Sequence, residues 1–487
     1  MVGCKASAWT FRSIRPIREL AKNFGEVANL VRRRNLRANI IMAVFIGCVL
    51  LMPGSALGWS NHGLLTYWAF ATMPEVANTK PVAVEPIEAF LRTQEPAIEA
   101  LLAAQEDWAR TNLSSYPPRP AELTFKADTT RGDRARRQAF LEALRVAADT
   151  RLALYVQPDP SIRLDPARTL PYAAVSTLPE QPFMFYRFGR LDPGETVAPL
   201  SVLATAASEP DFGTDINCWE DSPSEWGKRY RFGTLSFGNP AVTNTSQAPF
   251  HMGFYHQSRI VYWAAPFVAR TYPLLRIHQF SGLAELAFRT GHPYWGWRFA
   301  GNAAHYVQDL TQPYHANLLP GVSTARMLGI NLLAMLGWPR MKNEMIVLVS
   351  NRHLALERYQ VQLLHRAIDR AEPAPVLMAL RSSRRDAAYP DWSERYARDV
   401  VSAEAFAFGD RLDELLAAAV PANYVSNPRY DFGAEGGAVD LLDEVGKRQA
   451  TQRANLESTI AELLGHFGAH SRNLVRGLLR ASGSAPP

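Results

Sequence analysis

The stretch Gly301-Asn-Ala-Ala-His305-Tyr-Val-Gln-Asp309-Leu-Thr-Gln-Pro-Tyr-His315 holds the densest chemistry in the chain. His305 and Asp309 stand four apart in a helical pattern, so both side chains share one face and can grip one cation. Pro313 stops that helix, and His315 returns on the following turn. On an apolar, aromatic-flanked segment this triple reads as a ligand set rather than a polar corner, since imidazole nitrogen and carboxylate oxygen are donors that zinc takes. A second pair, His353 and Glu357, is also four apart on a long helical segment. His365 and Asp369 repeat that spacing just over three turns later, and donor chemistry alone does not choose between the pairs. A third cluster, His251 and His256 in Ala248-Pro-Phe-His251-Met-Gly-Phe-Tyr-His256, is preceded by Glu209-Pro-Asp211-Phe212, in or beside a loop-rich zone where polar groups tend to serve function. His466 and His470 share a helix face near the C-terminus without a third ligand nearby, and read as surface or core histidines.

A further candidate ligand depends on a cut. Arg32-Arg33-Arg34 and Arg37 precede an apolar run from Ala38 to Met52 and then Ala56-Leu57-Gly58, the three-part pattern of a secretory signal. The run is about 15 residues, short of the ~20 that a membrane span needs. Cleavage after Gly58 makes Trp59 the first residue, three ahead of His62, and frees an α-amino group that titrates around pH 7.7 to 8, close enough to neutrality to become a metal ligand. Residues 1–58 carry nine basic side chains and two acids, a net +7 that turns the whole-chain +6 into −1 for residues 59–487. The basic balance is therefore an export signal and not a nucleic-acid footprint. Beyond the leader only Cys218 remains, which excludes an internal disulfide and leaves the fold to a core, metals or both.

Helices must position these residues. Apolar side chains recur at three and four residues over Pro86 to Trp108, Asp133 to Val156, Gln257 to Thr271, Tyr294 to Leu310, Met341 to Asp369, Trp392 to Ala419 and Gln449 to Leu479. Period-2 strands are hard to find. The region from Pro158 to Pro249, rich in Pro, Gly, Asp and Ser, reads as long connections with short strand pieces around Phe183 to Arg187. The expectation is one all-α domain over 59–487 with long loops, completed by a helical C-terminal part over 372–487. Tyr294, Trp295 and Trp297 read as core.

The order of these residues resembles the zinc-dependent phospholipase C and single-strand-specific nuclease superfamily: an N-terminal Trp once the leader is removed, a nearby His, an Asp, a His, then H-x3-D-x5-H and a final H-x3-E/D. The resemblance runs from Trp59 to Glu357. It implies a single all-helical domain of the phospholipase C type with three zinc ions in one cleft. Trp59, through its amine and carbonyl, and His62 would hold one ion. Asp211, His251 and His305 would hold a second, with Asp309 bridging the two, and His315, His353 and Glu357 would hold the third. Asp215 or Asp221 in place of Asp211, and His256 in place of His251, stay open as alternatives. His353-x3-Glu357 followed by Tyr359, and Pro210-Asp211-Phe212, look like the phospholipase branch, whereas Ala248-Pro-Phe-His251 looks like the nuclease branch. Ser60-Asn61 bring no acid to the opening segment, where phospholipases of the family usually place one to meet a cationic head group.

Both branches cleave phosphodiesters, which needs a nucleophile made from water and neutralised phosphate charge; clustered zinc ions can supply both. The resemblance implies that Asp211 orients or deprotonates that water. The expected protein is a secreted or periplasmic zinc-dependent phosphodiesterase hydrolysing phospholipids. Its alternatives are an extracellular single-strand-specific nuclease, which would bind nucleic acid, and a non-enzymatic secreted zinc-binding protein. The insert from Val322 to Trp338 is nearly all apolar and reads either as a core-filling helix or as a segment that dips into a lipid surface, a peripheral membrane contact.

Overall fold

Pro293 sits at the first position of a helix that runs to Asp309, where its missing N–H costs nothing. Every residue of that helix after Pro293 is buried, the mark of a helix enclosed on all sides. In this computed structural model, which describes residues 59, 61–157, 163–180, 187–237, 243–370 and 374–483, the other helices wrap it. The leader 1–58, and with it the expected cleavage signal, lies outside the described residues. Helix makes up 64% of the structure and strand 3%, so the chain is all-α in class.

The helices that bear on the site are, in chain order, α1 (His62–Phe70), α2 (Ile87–Asn112), α3 (Asp133–Leu144), α4 (Pro199–Ala206), α5 (Ala248–His251), α6 (Arg259–Ala264) and α7 (Pro273–Arg289). They continue with α8 (Pro293–Asp309), α9 (Pro313–Ala316), α10 (Thr324–Met335), α11 (Arg340–Asp369), α12 (Ser402–Ala419) and α13 (Ala450–Ala481). Two small antiparallel sheets accompany the helices. Val82–Ala83 pairs with Thr196–Val197, and Phe188–Arg190 lies between Tyr155–Val156 and Thr169–Leu170. The largest apolar core draws on residues from Trp59 to Leu479 and includes Tyr294, Trp295 and Trp297 as core side chains.

Several expected boundaries move for identifiable reasons. The helix expected over Asp133 to Val156 stops at Leu144, because Arg145 takes a left-handed conformation (φ 54°) and donates to the Pro117 and Tyr230 carbonyls. The chain then turns into the strand Tyr155–Val156. The helix expected over Gln257 to Thr271 is interrupted at Pro266 and splits into α6 and a short 3-10 turn, Pro266–Ala269. The one expected from Trp392 becomes α12 only at Ser402, after a π-helical turn over Ala397–Val401. Among the helices not anticipated are α1, α7, and α4 inside the zone read as connections. Of the strand pieces expected around Phe183 to Arg187, residues 181–186 lie outside the described residues, and a strand begins at Phe188.

Two glycines set how closely the elements approach. A Cβ on Gly301 of α8 would lie 2.5 Å from the Leu203 carbonyl oxygen and 2.6 Å from the Ala206 Cβ of α4. One on Gly63 of α1 would lie 2.4 Å from Gln157 Oε1, 2.9 Å from Ser208 Oγ and 3.0 Å from the Ala204 carbonyl. Both helices therefore press on the segment that leads into Asp211. Replacing Gly301 by Ala should push α8 off α4 and cost about 1–3 kcal/mol in urea unfolding, with metal affinity falling alongside; unchanged stability and affinity would show that this approach is not needed.

Candidate metal centre

Asn61 starts α1 in a left-handed conformation (φ 64°, ψ 58°) and caps it by accepting a hydrogen bond from the Leu64 amide. His62, the first residue of that helix, thereby enters the core. Glu209 fixes the next ligand segment. Buried Arg298 of α8 pairs with it at 2.7 Å, and Asn302, one turn further on, donates to it at 3.1 Å. Asp211, two residues on, is thus registered against the helix that carries His305 and Asp309. His251 ends α5, His315 lies in α9, and His353 and Glu357 stand one turn apart on α11.

These elements bring eight of the sequence-predicted side chains together in three buried groups, each with ligand atoms within 4.8 Å of one another: His62, Asp211 and His305; His251, His305 and Asp309; and His315, His353 and Glu357. Asp309 is the hub. One of its oxygens lies 2.8 Å from His251 Nδ1 and 3.1 Å from His305 Nε2, and the other lies 3.4 Å from His62 Nε2 and 3.7 Å from His315 Nδ1. Asp211 Oδ1 is 3.7 Å from His305 Nε2 and 4.0 Å from His251 Nδ1. In the third group His353 Nε2 approaches Glu357 Oε1 at 2.8 Å. The sharing differs from the expected assignment, since Asp211 and His305 both group with His62 as well as lying near His251.

Neighbours aim the rings. His62 Nδ1 faces Gln308 Oε1 (2.8 Å), His305 Nδ1 the Ala207 carbonyl (2.8 Å) and His315 Nδ1 the His251 carbonyl (3.0 Å). An N–H donated at each of those positions leaves Nε2 bare and directed at the centre, the arrangement that fixes a ligand tautomer. His251 is turned the other way round: its Nδ1 faces Asp309, and its Nε2 lies 3.5 Å from Asp215. Asp215 is in turn held by Arg276 at 2.7 Å and by the Tyr306 hydroxyl at 2.5 Å. It therefore backs His251 instead of replacing Asp211. Asp221 is exposed and accepts from the Leu235 amide. His256 Nε2 is spent on the Arg398 carbonyl (2.9 Å), and half-buried His365 and exposed Asp369 belong to none of the three groups.

The charge balance asks for cations. Asp211, Asp309 and Glu357 are buried, and among the described residues no Arg or Lys pairs with any of them. Burial, reinforced by the charges of Asp211 and Asp309, pushes the Glu357 carboxyl well above its ordinary range. Burial would raise Asp309 too, but His305 and His251 hold it well below that range. His251 overcomes the lowering effect of burial through Asp309 and Asp215 and rises to about 10, and Asp309 likewise raises His62 against burial. His315, where burial wins, falls to about 4 and stays a neutral donor. Buried atoms without a hydrogen-bond partner include His62 Nε2, Asp211 Oδ1, Asp309 Oδ1, His315 Nε2 and Glu357 Oε1. Orphaned oxygens and imidazole nitrogens gathered at one place fit divalent ions.

Trp59 is fully buried, and its indole N–H donates to Thr311 Oγ1 (2.8 Å), two residues beyond Asp309. Several supporting residues carried no signal in the sequence. The Gln308 amide spans α1, α8 and α13 through His62, Thr66 and Ser471. Tyr314 stacks on His353 at 5.3 Å and is anchored by Asp413 of α12. Arg276 lies on α7, a helix that was not anticipated. Tyr359 turns away from the centre, donating to Glu457 of α13 at 2.7 Å. His466 and His470 do meet a carboxylate, Glu404, at 3.2 and 2.9 Å; it comes from α12, more than 60 residues back in the chain.

Comparison with known proteins finds no matching family, no matching curated protein and no matching solved structure. The fold and the site define the class by themselves: an all-α chain with a buried His/Asp/Glu centre able to hold metal ions.

Metal uptake should release protons, because His251, raised to about 10, holds one near neutrality in the metal-free protein and must give it up as a ligand. Calorimetric titration of a divalent ion at pH 7 in buffers of different ionisation heat should show net proton release, with affinity rising as pH rises; buffer-independent heats would contradict this. Arg276→Met, which strands the Asp215 charge, should cost about 3–5 kcal/mol in chemical unfolding, whereas a loss below about 1 kcal/mol would deny Asp215 its supporting role.

Proposed function

We propose that this chain is an exported zinc-dependent phosphodiesterase of the phospholipase C type, with lipid phosphodiesters as substrates. One observation carries the reading: of three buried groups of imidazoles and carboxylates, two share His305, Asp309 lies within 4 Å of a histidine of each, and among the described residues no Arg or Lys pairs with their three acids. In this reading His62, with the amine and carbonyl of Trp59, would hold one zinc ion. Asp211, His251 and His305 would hold a second, Asp309 would serve both, and His315, His353 and Glu357 would hold a third. Zinc ions at these positions supply an acidified water and neutralise the phosphate oxygens.

The remaining work falls to the chain. Asp211 Oδ1, buried and without a hydrogen-bond partner, is placed to take the proton from the attacking water. As the water oxygen bonds to phosphorus and the bond to the alcohol oxygen breaks, that proton is available to the departing alcohol. Gln308, the Ala207 carbonyl and the pair Asp215–Arg276 keep the imidazoles aimed through the cycle. The order of ligands along the chain, which resembles the phospholipase C and nuclease superfamily, supports the same chemistry. The Trp59 indole, anchored to Thr311, keeps that residue's backbone close to the segment bearing Asp309.

Purified protein beginning at Trp59 should hold three zinc ions and hydrolyse phosphatidylcholine or another phospholipid in a chelator-sensitive way. Asp309→Asn should lose metal and at least about 100-fold in kcat/KM, while His365→Asn should change neither. Cleavage of single-stranded nucleic acid alone would select the nuclease branch, and absence of chelator-sensitive cleavage on every substrate would reject the enzyme. A form with one extra Ala ahead of Trp59 should bind one ion less tightly with all side chains intact; equal binding would remove Trp59 from the ligand set.

A further inference from the structure

Six of the seven large apolar side chains that stand exposed among the described residues fall in two short segments: Ile260 and Trp263 on α6, and Leu332, Leu336, Trp338 and Met341 across the end of α10 and the start of α11. The two tryptophans are the most exposed, at 67% and 64%. Scattered apolar residues on a surface need no explanation, but a concentration of this kind marks something that covers it.

Local structure holds these side chains outward. Ser258 caps α6 by accepting from the Val261 amide, and Val261 and Ala264 face inward while Ile260 and Trp263 face out. In α10, Met327 and Ile330 face inward. The helix then ends in a Schellman turn: Gly337, at φ 97°, donates to the Ala334 carbonyl, and the Trp338 amide donates to the Leu333 carbonyl. Trp338 therefore leaves the helix on the solvent side. The insert is core-filling on one face and exposed on the other.

Both segments rest on one small core, built from Val261, Ala264, Met327 and Leu318 with Ala248 and Met252. Ala248 and Met252 belong to and follow the helix that ends in His251, and Leu318 follows His315. The exposed side chains thus stand on the structure that carries two of the candidate ligands, and α11 continues from Met341 to His353 and Glu357.

Charge decides what covers them. Arg259 and Arg326, exposed on the same two helices, have no ion-pair partner among the described residues, and Arg340 pairs only with Glu344 of its own helix. Leu, Ile and Met offer no stacking plane to a nucleobase, whereas Trp beside aliphatic side chains and free Arg suits the boundary between anionic head groups and acyl chains. At 12 residues α10 cannot span a bilayer, and no helix of the described residues is long and apolar enough to do so.

We infer that Ile260, Trp263, Leu332, Leu336, Trp338 and Met341, flanked by Arg259 and Arg326, form a docking face by which the protein lies on an anionic lipid surface beside the metal centre. This deepens the phospholipase reading by naming aggregated lipid as the form of its substrate. Binding is nevertheless measured without turnover, so the two ideas fail separately.

The test is sedimentation of the purified protein with sucrose-loaded vesicles, either phosphatidylcholine alone or equal parts phosphatidylcholine and phosphatidylglycerol, in chelator. The wild-type protein should partition onto the mixed vesicles, and more weakly at high salt. Trp263→Ala with Trp338→Ala should weaken partitioning at least about tenfold while circular dichroism and thermal unfolding stay unchanged. Arg259→Gln with Arg326→Gln should remove the preference for phosphatidylglycerol. Brominated lipid should quench tryptophan emission in the wild type and much less in the double Trp variant. Failure of the wild type to bind either vesicle would overturn the docking face, as would wild-type binding by the double Trp variant. A dimer in light scattering that dissociates on the two Trp substitutions would assign the face to a second copy and overturn it too. Chelator-sensitive cleavage of a soluble diester by a protein that ignores vesicles would reject this inference and leave the phosphodiesterase standing.

Discussion

Three carboxylates buried with only imidazoles for company are a constraint that the surrounding architecture has to answer. Asp211, Asp309 and Glu357 lie where Coulomb repulsion is poorly screened, and among the described residues no guanidinium or ammonium group pairs with them. Elsewhere the chain answers buried and partly buried acids in the usual way, with Arg276 on Asp215, Arg136 on Glu95 and Arg298 on the partly buried Glu209. The contrast within one molecule is informative. Where acids are structural they receive an arginine, and where they converge with bare imidazole nitrogens they do not.

That constraint explains the rigidity around the centre. Divalent ions require donors held in fixed directions, and here each ring is held by a second contact outside the centre: Gln308, two backbone carbonyls, and an aspartate that is itself clamped. The two glycines that let α1 and α8 press on the segment before Asp211 serve the same end. So does Tyr314, which links the His353 ring to Asp413. The supporting residues come from helices far apart in sequence, and the centre is the place where those helices agree.

How much of this was legible in the sequence follows from the range of each interaction. His305 with Asp309, and His353 with Glu357, could be read because helical spacing is a local property. The helices bearing them were expected with boundaries within two residues of those observed. Asp211 over Asp215 could not be read, because the choice rests on Arg276 and Tyr306, whose partnership with Asp215 is set by tertiary packing. The Glu404 partner of His466 and His470 was hidden in the same way. Helix α7 went unrecognised although its periodicity is present, and α4 lay in a stretch whose Pro and Gly content suggested loops. Breaks at Arg145 and Pro266 shortened two expected helices, one by a left-handed residue fixed by its buried side chain and the other by a ring that cannot donate.

The C-terminal helix has a consequence for how the molecule comes into being. Ser471 of α13 reaches Gln308, Phe467 lies against His62, and Arg472 donates to the Ala69 carbonyl across a sequence separation of 403 residues. Contacts this long in sequence form late, since each must first close a large loop of chain. A chain still emerging during synthesis therefore owns all of its candidate ligands well before it owns the wall that seats the first of them. If the centre takes up ions, their capture at full strength is tied to that last docking step, and metal content becomes a record of whether folding went to completion.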